Sequence, residues 1–133
     1  MELEVIIVDD NDMTRLLHRE IVSIAGLGVK VPAFANGKDG LFYLYQRPNP
    51  KSPVLVLLDI NMPIMNGWDF LDGLPKMEGN EFVLVTVVSS SVDGEDRIKA
   101  FTYPNVIEYL EKPIKPSMLT DLKKLVDQKL VTM

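Results

Sequence analysis

The sequence contains no cysteine, a single histidine and a single tryptophan among its 133 residues. The lack of cysteine excludes a disulfide framework, a thiolate metal site and a cysteine nucleophile, and it is consistent with a reducing cytoplasm. The longest uncharged apolar runs have the length of a strand, and the N-terminus lacks the basic start and long apolar stretch of a signal peptide. The net charge is −5 without any basic stripe, which argues against direct binding of nucleic acid. We therefore expect a cytoplasmic protein with no membrane insertion.

The length fits one domain, so we expect residues 1–133 to form a single domain. Apolar runs alternate with helical patterns about five times along the chain. The predicted strands are residues 3–8, 29–34, 54–58, 82–88 and 106–110. The predicted helices lie around residues 16–24, after 36–37, from about 66, at 93–101 and at 117–130. This alternation predicts an α/β fold: a doubly wound, five-stranded parallel sheet in the order 2-1-3-4-5.

Three aspartates stand at the carboxyl ends of two predicted strands. Asp59 directly follows the apolar run 54–58, and Asp9 and Asp10 end the first strand. Taken singly, each would be read as a helix cap or the start of a turn. In the order 2-1-3-4-5, however, the ligand crevice lies between strands 1 and 3, so the three carboxylates converge on it. The sequence therefore predicts a ligand site at this edge of the sheet.

Three neighbouring carboxylates repel one another unless a cation joins them. Oxygen ligands without histidine or cysteine suit a hard cation, and a shallow cluster that keeps several waters suits Mg²⁺ best, with Mn²⁺ as the alternative. Ser89 closes the fourth strand and Lys112 follows the fifth, so a hydroxyl and an ammonium adjoin the same crevice. Together these groups can hold a phosphoryl group. A carboxylate without a general base nearby can itself act as the nucleophile and form an aspartyl-phosphate.

Asp9-Asp10, the run Leu-Asp-Ile-Asn-Met-Pro-Ile-Met-Asn-Gly at 58–67, Ser89 and Lys112-Pro113 together resemble the receiver domain of bacterial two-component response regulators. The resemblance spans essentially the whole chain. It implies the flavodoxin-like receiver fold and a stand-alone, chemotaxis-regulator-like protein without an effector domain. It also implies that a sensor histidine kinase or a histidine phosphotransfer protein donates a phosphoryl group, and that a downstream protein target reads the result.

The resemblance assigns roles position by position. Asp59 would be the phosphoacceptor. Asp10 and Asp59 would bind Mg²⁺ directly together with the backbone carbonyl of Asn61, while Asp9 would act through water. The ammonium of Lys112 would contact the phosphoryl group, and the Lys112–Pro113 peptide bond would be cis.

The resemblance further implies a conformational switch. On phosphorylation Ser89 would move to donate a hydrogen bond, and Tyr109 would rotate into the vacated space. The surface of helix 4, strand 5 and helix 5 would change its shape for a partner. Tyr109 also fits a plain core aromatic. Asn61 and Ser91, two places after Asp59 and Ser89, would tune the lifetime of the phosphoryl group.

Other functions fit the sequence less well. A degenerate receiver that acts only as a phosphorylation-independent binding module is the main alternative, although none of the five key positions is missing. A haloacid-dehalogenase-type phosphatase needs a second aspartate where this chain has Asn61. A flavin carrier needs a hydroxyl-rich loop where this chain has Asp9-Asp10-Asn11-Asp12. A receiver phosphorylates and dephosphorylates itself, so it is not a conventional enzyme. His18 is predicted to have a surface or packing role.

Overall fold

The computed structural model describes residues 3–28, 30–91 and 93–133. The strands are β1 (Glu4–Val8), β2 (Ala33–Phe34), β3 (Val54–Leu58), β4 (Val83–Ser89) and β5 (Val106–Glu111). The helices are α1 (Asp12–Ile24), α2 (Gly37–Tyr45), α3 (Gly67–Gly73), α4 (Gly94–Ala100) and α5 (Pro116–Val131). Two short 3-10 helices, Leu74–Lys76 and Asn80–Phe82, connect α3 to β4. Within the described part of the chain, no helix is both long and apolar enough to cross a membrane.

The five strands form one parallel sheet in the order β2-β1-β3-β4-β5, which confirms the predicted topology. Val8 is in register with Leu58, and Leu58 is in register with Val87. The carboxyl ends of β1 and β3 are therefore level. As a consequence, the residues that follow them, Asp9 and Asp59, emerge side by side at one edge of the sheet.

The sheet is covered by helices on both faces, as parallel sheets require. All five residues of β3 are buried, and successive side chains point to opposite faces. One buried cluster joins the sheet to α2, α3 and α4 and includes Ile6, Val8, Val56, Leu58, Leu41, Leu44, Phe70, Leu71, Val85, Val87 and Ala100. The other joins it to α1 and α5 and includes Val5, Ile7, Leu55, Leu57, Ile21, Val22, Leu84, Val88, Leu119, Leu122 and Val126.

Strand 2 is much shorter than predicted. The expected strand covered 29–34, of which residue 29 lies outside the described residues, whereas β2 comprises only Ala33–Phe34. Pro32 has no N–H to donate, and its carbonyl accepts a single bond from the Ile7 N–H at 3.0 Å. The pairing of β2 with β1 is therefore limited to the carboxyl end of β2, next to the crevice. There the Asp9 N–H donates to the Phe34 carbonyl. Helix α1 begins at Asp12, about one turn before the predicted region around 16–24. The other strand and helix ends lie close to their predicted positions.

Helix α1 turns much of its apolar surface outward. Its buried residues are His18, Ile21 and Val22. Four large apolar side chains of the same helix are exposed: Met13, Leu16, Leu17 and Ile24. The helical spacing of apolar residues predicted this helix correctly, but it did not reveal which face meets the sheet.

Candidate functional site

The three aspartates do meet at the carboxyl edge of the sheet. Oxygen atoms from the carboxylates of Asp9, Asp10 and Asp59 lie within 4.8 Å of one another. Asp9 and Asp59 are 2% and 5% exposed, whereas Asp10 is exposed to solvent. Two of the carboxylates are thus buried at the strand ends, and the third forms the open side of the cluster.

Lys112 lies beside the two buried carboxylates. Its Nζ is 2.8 Å from Asp9 Oδ2 and 3.6 Å from Asp59 Oδ2. The backbone N–H of Lys112 donates to the Ser89 carbonyl at 2.9 Å, which places the lysine across from the end of β4. The Lys112–Pro113 peptide bond is cis, as predicted. The Lys112 ammonium therefore lies between the two buried carboxylates of the cluster.

Local hydrogen bonds orient the carboxylates. Asp9 Oδ1 accepts the Asn11 N–H at 2.9 Å, and Asp59 Oδ1 accepts the Asn61 N–H at 3.3 Å. The guanidinium of Arg15, one turn into α1, donates to the Asp9 carbonyl at 2.7 Å. Each bond ties an acidic residue to the loop or helix that follows it. The cluster is therefore held by the backbone of two βα connections.

The fold makes ionisation of Asp59 unfavourable. Burial raises the pKa of its carboxyl to about 6, and the charges of Asp9 and Asp10 act in the same direction. The Lys112 ammonium and the Asn61 N–H lower the pKa but do not offset the burial. An additional cation bound between the carboxylates would relieve this repulsion.

The donor set fits a hard divalent cation. All three side chains offer oxygen, and the described residues place neither a cysteine nor a histidine among them. Asp10 leaves the cluster open to water on one side, and Mg²⁺ usually keeps several water ligands. The cluster is thus chemically suited to Mg²⁺, the ion that the sequence predicted.

Ser89, Ser91 and Tyr109 form a connected group next to the acidic cluster. Ser89 is fully buried, and its Oγ accepts the Ser91 N–H at 3.0 Å. The Tyr109 ring is buried, and its hydroxyl donates to the Ser91 carbonyl at 3.2 Å. Both residues assigned to the switch thus reach the same short segment after β4.

His18 has a packing position, consistent with its predicted role. It is 2% exposed on the sheet-facing side of α1. Burial lowers the pKa of its imidazole; Asp9 opposes this effect and Lys112 adds to it. Its proximity to the acidic cluster was not predicted, because the apolar spacing of α1 alone does not show which face of the helix is buried. His18 precedes Ile21 and Val22 by three and four residues, the spacing of one helix face.

Two further residues of the site were not recognised as structural determinants. A Cβ on Gly67 would lie 2.7 Å from the Asp59 carbonyl oxygen and 2.7 Å from Ile60 Cα, so only glycine fits there without displacement. Arg97 of α4 donates from Nη1 to the Tyr109 carbonyl at 3.2 Å. The motif at 58–67 includes Gly67, but the sequence does not show which atoms lie close to this residue. No local spacing links Arg97 to a residue twelve positions away.

Comparison with known proteins identifies a family. The family model described as "Response regulator receiver domain" matches residues 5–124. The chain is 26% identical over 121 residues to the chemotaxis protein CheY of Thermotoga maritima, covering 91% of this chain and 94% of that protein. A response regulator receiver protein from Dyadobacter fermentans superposes with a TM-score of 0.81 at 25% identity, covering 93% and 98% of the two chains.

A further solved structure resembles the chain in fold alone. The receiver domain of the sensor histidine kinase PA1611 from Pseudomonas aeruginosa gives a TM-score of 0.72 at 18% identity, covering 90% and 92% of the two chains. That structure has a magnesium ion coordinated in its active-site cleft. Curated relatives differ greatly in length: the chain spans only 7% of a hybrid histidine kinase from Dictyostelium discoideum. Similar domains therefore occur both in short proteins and within long kinases.

Proposed function

Because the chain belongs to the response regulator receiver family, we propose that it accepts a phosphoryl group on Asp59 and signals through the resulting change in shape. The observation that carries the proposal is the buried Asp59 carboxylate, set beside Asp9, Asp10 and the Lys112 ammonium at adjoining strand ends. The donor would be a histidine kinase or a histidine phosphotransfer protein. The receiver would act in the cytoplasm, and its action without an effector domain stays a prediction.

The proposed reaction is a transfer from nitrogen to oxygen. An Asp59 carboxylate oxygen attacks phosphorus, a P–O bond forms, and the P–N bond to the donor's imidazole breaks. The electron pair of that bond stays on the imidazole nitrogen, which takes up a proton from water. Lys112 would then neutralise a phosphoryl oxygen as a point charge. Hydrolysis of the acyl phosphate by water returns Asp59 to its carboxylate form.

The acidic cluster would hold the metal that this reaction requires. Asp10 and Asp59 would bind Mg²⁺ together with the Asn61 carbonyl, and Asp9 would act through water. When bound, the ion offsets the negative charge of the carboxylates and of the phosphoryl oxygens. The all-oxygen donor set supports this assignment, as does the magnesium in the Pseudomonas receiver.

The exposed face of α1 supports a protein donor. Met13, Leu16 and Leu17 lie in the first turns of α1, just after Asp10, and are 72%, 61% and 48% exposed. A donor that delivers phosphorus to Asp59 must approach over the open side of the cluster. It would therefore cover the start of α1, where exposed apolar side chains offer a contact surface. We propose that the phosphohistidine-bearing protein docks on this surface.

The switch would start from Ser89. Its hydroxyl would leave the Ser91 N–H and donate to a phosphoryl oxygen. Tyr109, which already contacts Ser91, would adjust with it, and the α4–β5–α5 surface would carry the change to a downstream protein. Asn61 and Ser91 would tune the lifetime of the phosphoryl group from their positions beside Asp59 and Ser89.

The central experiment is phosphorylation of the purified chain by acetyl phosphate with Mg²⁺. We expect the intact mass to increase by one phosphoryl group, and Asp59→Asn to abolish the increase. Asp121→Asn, which changes an exposed aspartate on α5, serves as a matched control and should be modified like the wild type. A wild-type chain that stays unmodified with acetyl phosphate and with a panel of kinases would instead favour the binding-module alternative.

A second experiment separates the donor surface from the chemistry. Leu17→Asp on α1 should slow transfer from an autophosphorylated histidine kinase by about tenfold. Its reaction with acetyl phosphate should be unchanged, because a small donor needs no contact with α1. Ile98→Asp, which changes an exposed apolar residue on α4, should leave both rates unchanged. Equal transfer rates in Leu17→Asp and the wild type would exclude α1 as the docking surface.

A further inference from the structure

The position of the Tyr109 ring is central to the expected switch. The family resemblance implied that this ring moves inward after phosphorylation. In the structure it is 5% exposed, and its hydroxyl already bonds the Ser91 carbonyl at 3.2 Å. The bond to Ser91 involves no phosphoryl group, so contacts within the chain itself can hold the ring inward.

Arg97 of α4 provides such contacts. Its Nη1 donates to the Tyr109 backbone carbonyl at 3.2 Å, and its guanidinium carbon lies 5.9 Å from the centre of the Tyr109 ring. The same guanidinium lies 5.4 Å from the centre of the Phe101 ring, and its Nη2 is 3.9 Å from Glu108 Oε1. One side chain thus contacts both the backbone and the ring of Tyr109, while two neighbours hold it in place.

These contacts favour the buried rotamer of Tyr109 over an exposed one. The bond to the backbone keeps the guanidinium on β5 wherever the ring points. The cation is attracted to the face of the ring, and this attraction is lost when the ring turns out to solvent. An outward turn would also break the hydroxyl bond to Ser91. Both losses oppose rotation of the ring. The loss of the attraction to the cation depends on Arg97, whereas the loss of the bond to Ser91 does not.

We propose that Arg97 is a positioning residue that keeps Tyr109 buried before phosphorylation. This inference rests on the proposed function, because it concerns regulation of the same switch. The α4 and β5 surface would then be partly arranged in the resting chain. Phosphorylation would act mainly on Ser89 and on the segment after β4, rather than by first bringing the tyrosine inward.

Hydroxyl-radical footprinting with peptide mass spectrometry tests this proposal directly. The protein is probed without any phosphodonor, and Tyr45, which is 48% exposed, is the internal reference. In the wild type we expect Tyr109 to be oxidised much more slowly than Tyr45. Arg97→Met should raise the Tyr109 rate about fivefold and leave Tyr45 unchanged. Lys99→Met is the matched control on α4, because Lys99 lies over Trp68 instead, and it should leave Tyr109 protected.

Two results would overturn the proposal. If Tyr109 in the wild type is oxidised as fast as Tyr45, the ring is not buried in the resting state. If Arg97→Met leaves Tyr109 as protected as in the wild type, the Ser91 bond and core packing suffice without Arg97. Should Arg97→Met unfold, Arg97→Lys replaces it; Lys keeps the charge and loses the planar fork, so an intermediate rate is expected. Because no phosphodonor is present, the outcome does not depend on whether Asp59 accepts a phosphoryl group.

Discussion

At the scale of single residues, the burial of Asp59 connects reactivity with stability. The carboxylate is placed where water is largely excluded and where Asp9 repels its charge, so its pKa is raised to about 6 from an ordinary value of 3.8. A group whose pKa is higher in the folded state stabilises the fold most at low pH. That contribution is complete below about pH 4 and is lost as the pH rises through about 6.

The first prediction follows from this sign. Asp59→Asn removes the charge and keeps the shape, so at pH 7 without metal it should increase the free energy of unfolding by about 2–3 kcal/mol. Near pH 4 the difference from the wild type should vanish, because the wild-type carboxyl is then protonated as well. Urea denaturation in EDTA at both pH values measures the effect. Asp121→Asn should change neither value, and an equal gain at pH 4 and pH 7 would contradict the ionisation argument.

At the scale of elements, β4 carries a polar residue on a face that is otherwise apolar. Thr86 lies between Leu84 and Val88, which belong to the cluster covered by α1 and α5. The residue is fully buried, and its Oγ1 has no hydrogen-bond partner among the described residues. The ladder between β4 and β5 is irregular between Val85 and Thr86. A buried hydroxyl without a hydrogen-bond partner lowers the stability of the fold, because its contact with water is lost and not replaced.

The second prediction tests this cost. Thr86→Val replaces the hydroxyl by a methyl group of similar size and should increase the free energy of unfolding by about 1 kcal/mol. Val85→Thr, the reverse change at the neighbouring buried position, should decrease it by about 1–3 kcal/mol. Chemical denaturation of both variants gives the two values. A destabilised Thr86→Val would show that the hydroxyl has a partner after all.

The connection from β3 to α3 depends on close backbone contact at its end. Gly67 donates its N–H to the Ile60 carbonyl at 2.9 Å, and a Cβ there would meet backbone atoms of Asp59 and Ile60. The loop that contains Asn61 closes through this contact. Its geometry therefore depends on a residue that carries no functional group.

The third prediction concerns this glycine. Gly67→Ala should shift the loop and weaken Mg²⁺ binding by about tenfold, with a loss of about 1–3 kcal/mol in stability. Gly94→Ala is the matched control, because a Cβ at Gly94 meets nothing within 4 Å at the start of α4. That variant should bind Mg²⁺ normally and be slightly more stable. Isothermal titration calorimetry with MgCl₂ measures the affinities, and unchanged binding in Gly67→Ala would contradict the argument.

At the scale of the whole molecule, the acidic cluster exists only when the sheet is assembled. Its carboxylates come from the ends of β1 and β3, about fifty residues apart in the chain, and Lys112 comes from beyond β5. A cation bound there interacts with the native state and hardly with the unfolded chain. Metal binding and global stability are therefore linked.

The fourth prediction is a stabilisation by Mg²⁺ that depends on pH. At a free concentration of about one hundred times its Kd, Mg²⁺ should stabilise the protein at pH 7.5 by about 2.7 kcal/mol. This gain should shrink as the pH falls through about 6, because protons compete for Asp59. Thermal denaturation at constant ionic strength, with NaCl as the reference salt, measures the gain. It should be much smaller in Asp10→Asn, and an equal gain in that variant would indicate non-specific binding.

Much of this architecture could be predicted because the relevant signals are local. The apolar run of β3 requires burial on both faces, and the βα alternation allows few topologies, so the sheet order followed. The predicted extent of β2 was wrong because Pro32 cannot donate a hydrogen bond to a neighbouring strand. How far β2 pairs with β1 becomes visible only when the two strands lie side by side. The orientation of α1 was not predicted, since its outward apolar residues share the helical spacing of its buried ones.

The sequence by itself determined the chemistry: which residues carry oxygen, ammonium or hydroxyl groups, and that these groups follow strands. Only the tertiary structure decided how strongly the groups interact. The raised pKa of Asp59, the contact of Lys112 with two carboxylates and the contact of Arg97 with Tyr109 all depend on distances between segments far apart in the chain. Residue type and spacing are local properties, whereas burial and electrostatic interaction arise from packing.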